Sequence, residues 1–321
     1  MNGLSKEAAR QLAVGDDAAG QRIDNFLCRT LKGVPKSHVY RILRSGEVRL
    51  NGRRVGPDER LACGDRVRVP PIRTAAPAAP RQPPAGAVPP IVHEDDALLV
   101  VDKPAGLAVH GGSGVAHGLI ETLRAARPTA RFLELVHRLD RDTSGLLLVA
   151  KTRPALTALH AALREGRVDK RYLVLVRGRW RDAKRSVRLP LHKFATKAGE
   201  RRVRVDDAAG REAVTVFRRV QTWPAHEPPL ALLEAELLTG RTHQIRVHLT
   251  ALGFPLAGDD KYGDFAWNRA LAKQGLKRMF LHAARLSLVH PATGTPLVLE
   301  AALPPDLRRF LEALDGRDAD A

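Results

Sequence analysis

The sequence predicts an α+β protein in two domains, and three observations carry that expectation. Residues 21–73 hold two short helical patterns followed by a hairpin signal. Residues 74–90 are rich in Pro and Ala with almost no large apolar side chain, so they read as an extended linker. From residue 91 to about 315, short apolar runs of strand length alternate with helical patterns, as expected for a larger domain with buried strands.

Taken in order, residues 1–20 show no strong periodicity and are expected to form a flexible N-terminus. Ile23, Phe26, Leu27 and Leu31 recur at helical spacing, and Gly33 closes that helix. A second helix opens at Pro35-Lys36-Ser37, with Ser37 as its expected cap. Val39, Ile42 and Leu43 form its buried face, leaving Lys36, Tyr40, Arg41 and Arg44 outside. Val48, Leu50 and Val55 flank Asn51-Gly52, a dipeptide suited to a tight hairpin turn. Arg66-Val67-Arg68-Val69 then alternates charged and apolar residues as a one-face strand does.

In the larger part, Leu98 to Val101 and Leu146 to Ala150 are unbroken apolar runs, the pattern of strands covered on both faces. Pro154 to Arg164 reads as a helix with Leu156, Leu159 and Leu163 inward. Lys170 to Val176 reads as a strand that places Tyr172 and Val174 on one face. Residues 192–211 are basic and poor in apolar side chains, expected as an exposed loop or hairpin. Strands follow near 213–220 and 230–239, then a helix that Thr242 can cap, with Ile245, Leu249 and Leu252 inward. Arg246 sits in its early turns, where a cation opposes the helix dipole unless an anion faces it. Leu303 to Leu314 is a short terminal helix.

The 321 residues carry a net charge of +18, with 53 Lys plus Arg against 35 Asp plus Glu. Such a surface attracts polyanions, and because the charge is spread along the chain, nucleic acid fits better than a membrane. Residues 1–75 hold 15 Lys plus Arg and 8 Asp plus Glu, a net of +7, so basic charge is densest there. Four cationic or polar positions on one short helix make Lys36, Arg41 and Arg44 candidate contacts to a phosphate backbone. Two distant cysteines, Cys28 and Cys63, indicate neither a disulfide framework nor a zinc knuckle. The first residues lack a signal-peptide core and no run reaches membrane-span length, so a cytoplasmic protein is expected.

One stretch concentrates chemistry. His137-Arg138-Leu139-Asp140-Arg141-Asp142-Thr143-Ser144-Gly145 is a charged turn that runs straight into a buried apolar strand. A carboxylate at the mouth of a core with an Arg on each side is easily kept ionised, as a nucleophile or base must be. An isolated Asp in such a turn would more often be an ordinary salt-bridged residue. His243 and His248 are five apart with no matching carboxylate, so no metal site is expected from them.

These nine residues resemble the signature of the RluA-type pseudouridine synthases. Lys103-Pro104-Ala105-Gly106, Gly240-Arg241-Thr242-His243-Gln244-Ile245-Arg246 and Phe280-Leu281-His282-Ala283-Ala284 resemble further blocks of the same family. Arg22-Ile23-Asp24 and Gly46 to Gly52 resemble an S4 RNA-binding domain. The resemblance implies a mixed-sheet synthase domain over residues 91–315, preceded by a small S4-like domain over 21–73. It implies isomerisation of uridine to pseudouridine in 23S (large-subunit) ribosomal RNA, free or in a precursor of the subunit, by a monomer that uses no cofactor or metal. Asp140 would be the catalytic carboxylate, Arg246 its charged partner, and Tyr172 the ring that stacks on the uracil and assists proton removal from C5. Arg138 would fill the space left by the flipped base, and Leu281 would line the floor beneath it. Two other readings stand beside this one. One is a metal-dependent nuclease using Asp140 and Asp142; the other is a non-catalytic rRNA-binding or ribosome-assembly protein.

Overall fold

A computed structural model describes residues 9–31, 33–72, 88–111, 117–196 and 200–319. These divide into two compact units: the first holds the residues up to 72 with Pro128–Phe132, the second the remainder. The Pro/Ala-rich stretch lies mostly outside the described residues.

In the first unit, β1 (Arg10–Ala13), α1 (Ile23–Thr30), α2 (Lys36–Arg44), β2 (Arg49–Leu50), β3 (Arg53–Arg54) and β4 (Arg66–Val69) follow in order. The strands pair antiparallel in the order β1-β4-β2-β3. Both helices lay Ile23, Phe26, Leu27, Val39, Ile42 and Leu43 on one face of that sheet, against Val67 and Val69. Asn51 and Gly52 both have positive φ, 50° and 82°, which a two-residue turn between right-twisted strands requires. Two expectations need correction. Residues 10–18 are not a loose lead-in: β1 pairs with β4, and Val14 and Ala18 are buried. A strand this short carries no readable period, and its place comes from the partner strand. Nor is Ser37 the helix cap; Pro35 occupies that position, with the ring fixing φ at −59°.

The second unit is built on one large mixed sheet. Its elements are β5 (Ile91–Glu94), β6 (Leu98–Lys103), α3 (Leu119–Ala126), β7 (Glu134–Leu135), β8 (Ser144–Ala150), α4 (Arg153–Arg164), β9 (Asp169–Arg177) and β10 (Lys184–Arg188). There follow β11 (Leu191–Ala195), β12 (Arg201–Val205), β13 (Val214–Trp223), β14 (Leu230–Leu237), α5 (Gln244–Ala251), α6 (Phe265–Lys273), β15 (Leu281–Val289), β16 (Pro296–Glu300) and α7 (Pro305–Ala319). The sheet order is β10-β13-β14-β9-β15-β8-β6-β5, with β16 on β15 and β7 on β8. All pairs are antiparallel except β15 with β8, which makes the sheet mixed.

Every residue of β8 is buried, as its apolar run requires. One sheet face packs Leu99, Leu147, Val149, Val174 and Leu233 into the main core with Ile245 of α5. The other covers Leu175, Trp223 and Phe280 with α6 and α7 through Trp267, Leu271, Leu307 and Phe310. The basic segment after residue 190 is a hairpin, β11 with β12. Among the described residues no helix is long and apolar enough to cross a membrane.

Candidate active site

Asp140 opens the turn that feeds β8, and three features fix that turn. Thr143 N–H donates to the Asp140 carbonyl at 3.2 Å, closing the turn on itself. Gly145 has φ +107°, and a Cβ there would collide with the backbone of Ala283 on β15. Only glycine meets both demands. The third feature is Lys103, fully buried, whose Nζ donates to the carbonyls of Pro104, Leu107 and Arg141 at 2.8, 2.8 and 2.9 Å. Burial pulls its ammonium down to about 7, against the raising pull of Asp142, Asp140 and Asp102. Three carbonyls match the three donors of that group, so it clamps the loop after β6 to the turn carrying Asp140.

The Asp140 carboxylate, 26% exposed, opens into a cleft of about 1030 Å³. Among the described residues lining it, Arg138, Arg164, Lys170, Arg211, Arg241 and Arg246 are cationic and Asp140 alone is a carboxylate. Tyr172 and Leu281 line the same cleft. Tyr172 stands on β9 between Ala235 of β14 and Ala283 of β15 and is 7% exposed, at the edge of the main core. Burial, and then the charge of Asp140, push the phenol well above the usual tyrosine value. It stays protonated near neutral pH.

Arg246 comes from the first turns of α5 and is 3% exposed. Its Nη1 reaches Asp140 Oδ2 at 3.1 Å, while Nε and Nη2 fork onto Asp259 at 2.7 Å each. Burial alone would lower the guanidinium pKa; the hydrogen bonds and charge of Asp259, with Asp140 behind them, more than offset it. Asp259, wholly buried, also accepts the backbone N–H groups of Lys261 and Tyr262. Burial alone would raise Asp259, yet the fork and these two donors hold it below the usual carboxylate range. With Asp260 Oδ1 3.5 Å from Nη2, the cation at a helix start thus has three anionic partners where the sequence offered one. The cap of α5 is His243 rather than Thr242, at a left-handed φ of +54°.

That backbone aims the His243 ring into the site. Val203 N–H donates to Tyr262 Oη at 2.9 Å, and that hydroxyl lies 2.7 Å from His243 Nδ1. With the hydroxyl donating to Nδ1, the neutral ring carries its proton on Nε2, which lies 3.8 Å from Asp140 Oδ1. Burial lowers the His243 pKa, against the raising pull of Asp140. One small rotation brings a neutral N–H donor onto the oxygen that Arg246 leaves free.

Five of the expected residues, Asp140, Tyr172, Arg246, Arg138 and Leu281, share this cleft. Lys36, Arg41 and Arg44 lie on the exposed side of α2 in the other unit, where Arg41 is partly spent on Glu47 at 3.1 Å. Asp259, His243 and Tyr262 were missed as site residues. The signal for Asp259 was available: an Arg buried at a helix start needs more negative charge than one half-exposed carboxylate supplies. Asp142 pairs with Arg141 instead of sharing a site with Asp140, which removes the geometric basis of the two-carboxylate nuclease reading.

Among the described residues one trio, His93, Asp95 and His290, could bring ligand atoms within 4.8 Å of one another. His290 Nδ1, however, accepts the N–H groups of Ala292 and Thr293 at 3.3 and 3.1 Å, so a neutral ring holds its proton on Nε2. That N–H points at Asp95 Oδ2, 3.0 Å away, where a metal would need a lone pair. The trio is a hydrogen-bonded corner joining the β5–β6 turn to the end of β15.

A sheet-borne carboxylate locked to an arginine inside a basic cleft, carried by a chain with a small helix–sheet module, defines an enzyme acting on a nucleic acid. Comparison with known proteins agrees. Residues 97–251 match the family model described as RNA pseudouridylate synthase, and residues 21–67 match the S4 domain. Curated relatives called ribosomal large subunit pseudouridine synthase C are 51% identical in Salmonella typhi and Escherichia coli K12, over 94% of this chain and 96% of theirs. The counterpart from Pasteurella multocida is 49% identical over 96% of this chain and 94% of its own. The solved structure of human RNA pseudouridylate synthase domain containing 1 has a TM-score of 0.56 at 26% identity, covering 72% of this chain and 96% of that one. The chain belongs to the RNA pseudouridylate synthase family.

Proposed function

We propose that this synthase converts uridine to pseudouridine in 23S (large-subunit) ribosomal RNA, with Asp140 as the essential carboxylate. The observation that carries this reading is the cleft itself, six cations around a single carboxylate. Phosphates are drawn in from every side, and the nucleotide among them meets one reactive group. The names of the relatives supply the large ribosomal subunit as the source of that RNA. Action as a monomer belongs to the same reading, and the substrate supports a cytoplasmic place of work. A non-catalytic assembly role would leave the locked Asp140–Arg246–Asp259 array without a purpose.

The reaction breaks the C1′–N1 bond, turns the base, and forms C1′–C5; C5 loses a proton and N1 gains one. Nothing is oxidised and no group is imported, so side chains suffice. A base cannot turn inside a helix stack, so the nucleotide is first extruded. Arg138, exposed at the cleft, occupies the vacancy, and Leu281 forms the floor. Arg246 holds Oδ2 of Asp140 and His243 closes on Oδ1, so the carboxylate meets the nucleotide charged and in one orientation. Tyr172 stacks on the uracil as a neutral phenol and assists loss of the C5 proton as a relay rather than as a phenolate.

Release of tritium from 23S RNA bearing 5-tritiated uridine tests the reading directly. Stoichiometric release with pseudouridine at defined sites is expected; RNA binding with no release would sink it. Tyr172 gives a second expectation. Tyr172→Leu, which removes the ring, lowers kcat/KM by about 10–100-fold, the worth of one stacked base. Tyr172→Phe keeps binding and loses kcat alone. A third concerns His243: Tyr262→Phe frees Nδ1 to take the proton and turns a lone pair toward Asp140. A roughly tenfold fall in kcat at unchanged KM is expected for this one lost charged hydrogen bond. Equal loss in both constants would mean that Tyr262 only supports the fold.

A further inference from the structure

The first unit carries arginines on the sheet face that its helices leave uncovered. Register places Arg54 of β3 opposite Arg49 of β2, and Arg49 opposite Arg68 of β4. Side chains directly opposite share a face, so Arg49, Arg54 and Arg68 leave three strands on the same side, the Arg54 guanidinium lying over Gly46. Arg66, two residues before Arg68, points the same way. The inner positions Leu50, Val67 and Val69 pack under the helices, which puts these arginines on the outside. Arg54, Arg66 and Arg68 are exposed and Arg49 is half-buried.

Like charges directly opposite one another on a sheet weaken it. Acidic residues could relieve that, but here they work elsewhere. Asp24 and Asp58 take Arg22, Asp17 takes Arg29, and Glu47 takes Arg41. Asp65 accepts from Asn51 and from the Ala62 N–H. Among the described residues, Arg49, Arg54, Arg66 and Arg68 make no ion pair; Arg54 donates only to the Ser45 carbonyl, at 3.3 Å. The α2 cations project from the opposite side of the same small unit, because α2 packs on the inner sheet face.

We propose that this outer sheet face, Arg49, Arg54, Arg66 and Arg68, is a second RNA-backbone binding surface, separate from the α2 face. It rests on the reading above that RNA is the substrate. The partner is a polyphosphate chain rather than base edges, because four guanidinium groups on a flat face offer charge and paired donors with no pocket. The arginines trade stability of the free unit for RNA affinity. With both faces in use, the unit is gripped between two strands or two turns of a folded RNA.

The test is a salt titration of binding between the full chain and a 23S RNA fragment that it modifies. Wild type is compared with Arg49→Gln/Arg68→Gln and with Lys36→Gln/Arg44→Gln on α2. The sheet double variant binds roughly tenfold more weakly, and its log–log salt slope is shallower by about 1.4–1.8, two phosphate contacts' worth. At saturating RNA, kcat is unchanged. The melting temperature of the free variant equals or exceeds that of wild type, since opposed charges have been removed. A structural role for these arginines would instead lower it. Wild-type affinity and slope in the sheet variant, with the α2 variant weakened, overturn the proposal and leave the RNA reading intact. Unchanged binding in both variants removes the RNA role of this unit altogether. Displacement of RNA by polyglutamate from wild type but not from the sheet variant reassigns the face to an acidic protein.

Discussion

Asp140→Asn abolishes tritium release from 5-tritiated uridine in 23S RNA, a fall on the order of 10⁴-fold or more, as when a nucleophile is removed. The substitution changes charge but barely changes shape. Its carboxylate is a quarter exposed, and Arg246 keeps both hydrogen bonds to Asp259 when Asp140 is neutralised. Stability should therefore change by less than about 1 kcal/mol, the usual worth of a partly exposed pair. RNA affinity stays within a few-fold, because six cations around the cleft remain. Pairing the release assay with a thermal melt and a binding curve separates these outcomes. Loss of binding together with activity would show that Asp140 holds the cleft open rather than reacting in it.

Asp259→Asn produces the larger structural effect although Asp259 lies behind the cleft. The change leaves a buried guanidinium with a neutral partner, which costs about 3–5 kcal/mol where an ion pair is broken on one side only. In a domain of this size that lowers the melting temperature by roughly 10 °C. Activity falls too, because Arg246 is drawn onto Asp140 and the carboxylate loses its set orientation. The double variant Asp259→Asn/Arg246→Met melts higher than Asp259→Asn alone, since the buried guanidinium that lost its main partner is gone, yet stays inactive. A single variant that melts like wild type would contradict the pairing described here. The pH dependence has a definite sign. Asp259 titrates below the ordinary carboxylate value in the folded chain. Its contribution is fully present above that ordinary value and is lost as pH falls through the folded one. Acid unfolding monitored by circular dichroism should therefore shift toward neutral pH in Asp259→Asn.

The sequence made the cleft legible where a residue's role depends on its own string. Asp140 sits between a charged turn and an apolar strand, and Arg246 sits where a helix dislikes a cation. Tyr172 is placed by simple alternation along β9. What escaped depends on partners distant in sequence. Asp259 is 13 residues from Arg246 and meets it only because the chain folds back after α5. His243 looked like half of a poor metal pair because its value lies in a left-handed φ and in a hydrogen bond from Tyr262. The strand β1 was invisible for a similar reason: four residues cannot show a period, and β4 supplies the edge that orders them. Caps at Pro35 and His243 differed from Ser37 and Thr242 by one or two positions, within the range where backbone geometry overrides side-chain preference.

The position of β15 has a consequence for how the protein is made. This strand lies between β8 and β9, so the half-sheet that presents Asp140 and the half-sheet that presents Tyr172 are joined by strand hydrogen bonds only through it. It is also synthesised late, at residues 281–289. A nascent chain can complete the core of the first unit early, since its buried residues are drawn from 14–72. The two walls of the cleft must wait as separate pieces, with apolar edges of β8 and β9 unpaired, until the strand between them leaves the ribosome. Chains cut short before Leu281 would be prone to aggregate and would carry no catalytic centre, however intact their first domain.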